Sequence, residues 1–167
     1  MMSFSRYCWR IALVITIHSF MSFSVASLPK DKEQPVYISS DRAYWRGEQN
    51  MTVYEGNVQL AQGTLKILAD KITVYHAAKA ISKVIATGQP ANYQQQLSSD
   101  KGDIKATANT ITFEANEQQL LLRGNASVYQ DGTVLKGEAI DYDIRAAVIN
   151  ASSGERVQIV IPPKSDQ

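Results

Sequence analysis

The sequence predicts an all-β fold, an elongated stack of short antiparallel strands folded into two facing sheets. Three observations predict it. Apolar residues alternate with polar ones through most of the chain from Val36 onward, and a period of two places successive side chains on opposite faces of a strand. Gly- and Asn-rich punctuation interrupts that alternation at short intervals, which suits positions that need positive φ. A third sign is repetition: "YEGNVQLAQGTLKILADKITVY" from Tyr54 is echoed 68 residues later by "LRGNASVYQDGTVLKGEAIDYD" from Leu122.

The first element is a leader. "MMSFSRYCWR" carries Arg6 and Arg10 and no acid, an apolar run follows from Ile11 to Val25, and small residues surround Ser24 and Ala26. That order is the pattern of a secretory signal peptide. It predicts removal of residues 1–27 and a mature domain over residues 28–167. The rival reading is an uncleaved membrane anchor, but His18, Ser19, Ser22 and Ser24 interrupt the run, and a span needs roughly 20 apolar residues. Cys8 is the chain's one cysteine; with the leader gone, no disulfide is available. The full chain has 17 basic and 16 acidic side chains. Without Arg6 and Arg10 the balance is about −1, and clustered Lys and Arg of the kind nucleic acids require are not present.

After a polar lead-in, "LPKDKEQP", the strand signals follow in order. Val36 and Ile38 share a side, as do Met51 and Val53, then Val58 and Leu60. Leu65 and Ile67 lead to Ile72 and Val74. Ile111 and Phe113, Leu120 and Leu122, and finally Val157, Ile159 and Ile161 complete the series. Segments of roughly 5–7 residues are separated by "RGEQN", "EGN", "AQG", "ATGQP", "RGN", "QDG" and "SSGE", read as turns. "YHAAKAISKVIA" has a helix-like composition but lies between strand signals. It is read as a strand pair with a turn near Lys79. Pro occurs at edges and loops, where a missing N–H breaks no ladder.

Four phrases, "SSDRAYW", "LADKITVY", "TANTITFE" and "KGEAIDYD", share a small residue, then Asp41, Asp70, Asn109 or Glu138, then alternation. Asp41 and Asn109 are 68 apart, as are Asp70 and Glu138, and Gly56 and Gly124. The domain therefore reads as two tandem 68-residue units, each burying its apolar face against the next copy. The recurrent polar residues are expected to make turn or strand-end hydrogen bonds.

Reactive groups are scarce. His76 is the one histidine beyond the leader, and metal sites need several converging ligands; no metal and no cofactor are expected. Asp141 and Asp143 lie two apart and form a solvent face opposite Ile140 and Tyr142. Paired carboxylates of this kind can do acid–base work, but here the simpler role is solubility. No phosphate-binding loop is present. The chain does not read as an enzyme. Its alternating interior is either a filled core or a lined groove, and periodicity alone does not separate these.

"DKEQPVYISSDRAYW", "YEGNVQLAQGTLKILADKITV", "ATGQPANYQQQ" and "LRGNASVYQDGTVLKGEAIDYD" together resemble the OstA-like family of periplasmic lipopolysaccharide-transport proteins, over nearly all of the mature chain. The resemblance implies a slightly twisted, V-shaped β-jelly roll in the periplasm. It implies binding of lipopolysaccharide through lipid A and a bridge between inner and outer membranes. The implied partners are an inner-membrane-anchored OstA-like protein at one end, the outer-membrane lipopolysaccharide translocon at the other, and further copies stacked head to tail. Inward positions carried over as lipid-binding are Val36 and Ile38 near the N-terminal edge. Further along they are Val53, Val58, Leu60, Leu65, Ile67, Ile72, Val74, Tyr93, Ile111, Phe113, Leu120 and Leu122. The alternatives are an anchored export component of the same family and a structural β-repeat protein with a filled core.

Overall fold

A computed structural model describes residues 31–78, 80–98, 102–154 and 156–163. The leader expected over residues 1–27 lies outside these. A short 3-10 turn at Asp31–Glu33 precedes ten strands: β1 (Val36–Ser39), β2 (Arg42–Arg46), β3 (Met51–Gln62), β4 (Leu65–Ala77), β5 (Ala80–Ser98), β6 (Gly102–Glu114), β7 (Gln119–Gln130), β8 (Thr133–Asp143), β9 (Val148–Ser152) and β10 (Gln158–Val160). All pairings are antiparallel and join one sheet in the order β1-β3-β4-β5-β6-β7-β8-β10, with β2 also on β3 and β9 also on β8.

The central strands are longer than the alternating segments suggest. β3 to β8 run for 12, 13, 19, 13, 12 and 11 residues. "EGN", "ATGQP" and "RGN" are not turns between strands; they lie within β3, β5 and β7, where the register shifts between Glu55 and Val58, Thr87 and Ala91, and Arg123 and Ala126. A bulge bends its strand and increases local twist. With a shift also in β4 and in β6, the bends fall in line across the sheet and fold it over on itself. β1 and β2 continue the scheme, because β1 pairs with residues 59–62 of β3 and β2 with residues 51–55. At the far end β9 pairs with residues 139–143 of β8 and β10 with residues 134–136.

The result is two limbs meeting along a spine. The first limb holds β2, β9 and the β3–β8 segments that pair with one another on their side of the bend. The second holds β1, β10 and the remaining segments. The spine explains the recurrent Asp and Asn. Asn57 Nδ2 donates to Asp41 Oδ2 at 3.0 Å, and Asp41 N donates to Gly56 O at 3.0 Å. Gly56 (φ 81°) and Asn57 (φ 46°) are matched by Gly124 (φ 77°) and Asn125 (φ 51°). Asp41 and Asn109 press against these two glycines so closely that a Cβ would come within 2.2 Å and 2.8 Å of their side chains. The turn expected near Lys79 is present: β4 ends at Ala77 and β5 begins at Ala80, with Ala78 at φ 47° in place of a glycine.

Candidate functional site

The apolar side chains between the limbs form one continuous cluster. In antiparallel pairs, partnered residues point to the same face. Across the first limb the partners run Val74–Val84–Phe113–Leu120–Tyr142–Ile149 and Ile72–Ala86–Ile111–Leu122–Ile140–Ala151. Across the second they run Ile38–Leu60–Ile67–Tyr93–Ala106–Val128–Leu135–Ile159. These rows face one another inside the V. Tyr93 of the second limb and Phe113 of the first meet with ring centroids 6.0 Å apart, an aromatic contact across the fold.

Of the fourteen positions expected to bind lipid, eleven belong to the buried part of this cluster: Val58, Leu60, Leu65, Ile67, Ile72, Val74, Tyr93, Ile111, Phe113, Leu120 and Leu122. Val36 and Ile38 pack against it from the edge strand, partly exposed. Val53 is a correction. It is buried but stands outside the cluster. Its neighbour Tyr54 pairs with Ile72 and packs on the cluster, so Val53 points to the outer face, beside Tyr44 and Thr73. Reading "EGN" as a turn hid this: β3 runs through it with Tyr54, Val58 and Leu60 in one phase, and Met51 and Val53 fall in the other. Sequence reasoning missed Ile104 and the small residues Ala86, Ala91, Ala106 and Ala126 of the interior. Their signal was the alternation itself, obscured by alanine's weak strand preference.

The middle of the interior is closed. Ile67, Ile72, Leu120 and Leu122 are fully buried, and burial of each such side chain contributes about 1.5–3 kcal/mol. No charged residue is buried among the described residues. Polar groups enter at the mouth of the V. Burial pushes the Tyr93 hydroxyl well above its ordinary range, with Asp31 adding to the effect; it donates to Gln95 Oε1. Tyr142 is also raised by burial, opposed by its hydrogen bond to Gln130 Oε1 at 3.2 Å. His76 sits at the rim, 3.2 Å from Thr52 Oγ1 and against the Trp45 ring. Asp141 faces outward and pairs with Arg123, as a solvent face would. On the same outer face Glu55 meets Lys71 at 3.0 Å; hydrogen bonds from Tyr44 and Lys71 hold its carboxyl below the usual range.

Two hollows lie outside the cluster. One of about 720 Å³ follows the spine between Asp70, Gly88, Pro90, Asn109 and Asn125. The other, about 230 Å³, lies on the outer face between Leu121, Asp141, Val148 and Asn150. Among the described residues no group of three or more His, Cys, Asp or Glu could hold a metal, and no helix is long and apolar enough to cross a membrane.

At its two ends the interior is open. Ile159 and Ile161 on and beyond β10 are 61% and 74% exposed. Trp45 on β2 is 58% exposed.

A single antiparallel sheet folded at a spine around an apolar interior places the chain in the class of β-jelly-roll proteins. The chain belongs to the LptA/(LptD N-terminal domain) LPS transport protein family, whose model matches residues 37–148. It is 30% identical over 164 residues to the lipopolysaccharide export system protein LptH of Pseudomonas aeruginosa, covering 96% of this chain and 94% of that one. It is 31% identical over 155 residues to the lipopolysaccharide export system protein LptA of Escherichia coli K12, covering 87% and 83%. The crystal structure of Pseudomonas aeruginosa LptH, described as the LptA-homologous periplasmic component of the lipopolysaccharide transport device, superposes with a TM-score of 0.74 at 32% identity. The match covers 81% of this chain and all of that one.

Proposed function

We propose that this chain is a periplasmic carrier of lipopolysaccharide that shields the acyl chains of lipid A and bridges the inner and outer membranes. The observation that carries the reading is continuity: the apolar cluster involves every long strand and reaches an open edge at each end. Each CH₂ left in water costs about 0.8 kcal/mol, so a lipid with several acyl chains needs an unbroken apolar path. The relatives are named for export and not for a reaction, which agrees with a carrier that is not an enzyme and uses no cofactor.

In this reading residues 1–27 direct export and are removed, and residues 28–167 work as one domain. The acyl chains lie against Val36 and Ile38 and, with the limbs parted, against the inward residues from Val58 to Leu122. The edge of β1 and β2 and the edge of β9 and β10 each leave backbone groups free on one side, and an unpaired edge recruits another strand. One edge docks the inner-membrane-anchored OstA-like partner and the other the outer-membrane translocon, or a further copy head to tail.

Photo-crosslinkers at Val36, Ile38, Tyr37 and Val53 test this in cells making lipopolysaccharide. Capture is expected at Val36 and Ile38, and not at Tyr37 or Val53, which face outward. Absence of capture at both inward positions would favour a structural protein with a filled core.

A further inference from the structure

The polar segment ahead of β1 spans the mouth of the V. Asp31 is fastened to the second limb. Its Oδ1 accepts from Thr64 N at 2.7 Å; its Oδ2 accepts from Thr64 Oγ1 at 2.8 Å and from Gln95 Nε2 at 2.7 Å. Gly63 lies so close that a Cβ there would come within 2.3 Å of Asp31 Oδ1. Gln34 O accepts from Gln62 Nε2 at 3.0 Å. All these partners sit at the free lip of the second limb. The next residue crosses to the opposite lip: Lys32 Nζ donates to Ala115 O at 3.0 Å, just past the end of β6 in the first limb.

We propose that Asp31–Gln34 is a strap that latches the mouth, and that release of Lys32 from Ala115 is the step that lets the limbs part to admit an acyl chain. The proposal rests on the carrier reading above. The two fastenings differ in kind. At Asp31 three hydrogen bonds converge on one carboxylate in a half-buried site, and charge-assisted bonds are the strong ones. At Lys32 a single exposed bond reaches one carbonyl, which water replaces readily. The strap therefore stays hinged on the second limb and lets go of the first. Its hinge is also wired inward, because Gln95 links the Asp31 carboxylate to the Tyr93 hydroxyl. Tyr93 lies against Phe113 at the closure between the limbs, so movement of the strap and movement of the closure share a connection. The tie from Tyr142 in β8 to Gln130 at the end of β7 lies farther along the mouth, so the strap is the fastening on the β3–β6 side, where the limbs part.

Two measurements test the strap. Stopped-flow uptake of cis-parinaric acid, a linear acyl chain that fluoresces in apolar surroundings, reads admission. Spin labels on Lys66→Cys and Glu117→Cys, both exposed and on opposite lips, read the gap by electron-electron dipolar distance in a Cys8→Ser background. Lys32→Met, which keeps length and loses the donor, is expected to raise association and dissociation rates alike by roughly two- to tenfold, the range one net hydrogen bond represents. It is also expected to widen the distance distribution. Lys32→Arg, which keeps a donor, should behave as the natural protein. Unchanged rates and distances in Lys32→Met, with the probe still bound, would overturn the strap and leave the carrier reading intact. If no form takes up the probe, the carrier reading fails. The distance measurement then judges the strap alone, a widened gap supporting it and an unchanged one overturning it.

Discussion

The middle of the sheet and its two ends follow the same alternation and reach opposite states. Ile72 in β4 and Ile159 in β10 both face the space between the limbs. Ile72 has strands on both sides and is fully buried; Ile159 has one neighbour and is 61% exposed. The difference comes from position in the sheet and not from residue type. An end strand is a cut through a continuous interior, with apolar side chains and backbone groups left facing water. Such a cut is costly for an isolated protein and useful for one whose neighbour continues the sheet. On the proposed function the middle supplies stability and the ends supply connection.

The sharpest way to break that comparison is to shorten the same side chain in both places. Ile72→Ala removes a fully buried group and is expected to cost about 2–5 kcal/mol in urea unfolding. Ile159→Ala should stay within about 0.5 kcal/mol and act on self-association, read by sedimentation at increasing concentration. Equal destabilisation by the two would show that the C-terminal end is packed like the middle. The next largest effect concerns the spine. Gly124→Ala places a Cβ against Asn109 at φ 77° and is expected to cost about 1–3 kcal/mol. Gly154→Ala, in the loop near the C-terminal end with open space around it, should be close to neutral by the same measurement.

The sequence carried the strands, the antiparallel pairing and the inward set at most positions, because a half-buried strand writes its burial directly as period two. It also carried the polar spine, since Asp41 and Asn109 recur with the glycines they cover. It did not carry the bends. Gly-Asn adopts positive φ in a hairpin turn and in a bulge alike, so "EGN" and "RGN" gave no sign that the strand continues through them. That ambiguity put Val53 on the wrong face: once the strand is seen to run on, the odd interval from Val53 to Val58 sets the two on opposite faces. The sealed middle was equally illegible: a packed core and a lined channel have the same pattern, and only the distance between limbs distinguishes them. Asp31–Gln34 looked like a lead-in because its partners, Thr64, Gln95 and Ala115, are more than thirty residues away.

The smallest expected effect probes the middle through its chemistry. Burial raises the pKa of Tyr93 in the folded state above its ordinary value of 10.0. Below about pH 10 the hydroxyl is neutral in both folded and unfolded chains and titrates in neither. Above it the unfolded chain loses the proton while the folded one keeps it, so ionisation favours unfolding and stability falls as pH rises. Tyr93→Phe removes this term. At neutral pH it also loses the bond to Gln95 and should be less stable by about 0.5–1.5 kcal/mol. Between pH 10 and 11 the deficit should shrink, because only the natural protein then loses stability through residue 93. Chemical denaturation at matched ionic strength across that interval measures it. A deficit that stays constant with pH would mean that the Tyr93 hydroxyl ionises as easily folded as unfolded. The closure between Tyr93 and Phe113 would then be wet in solution, and the middle of the sheet would resemble its ends.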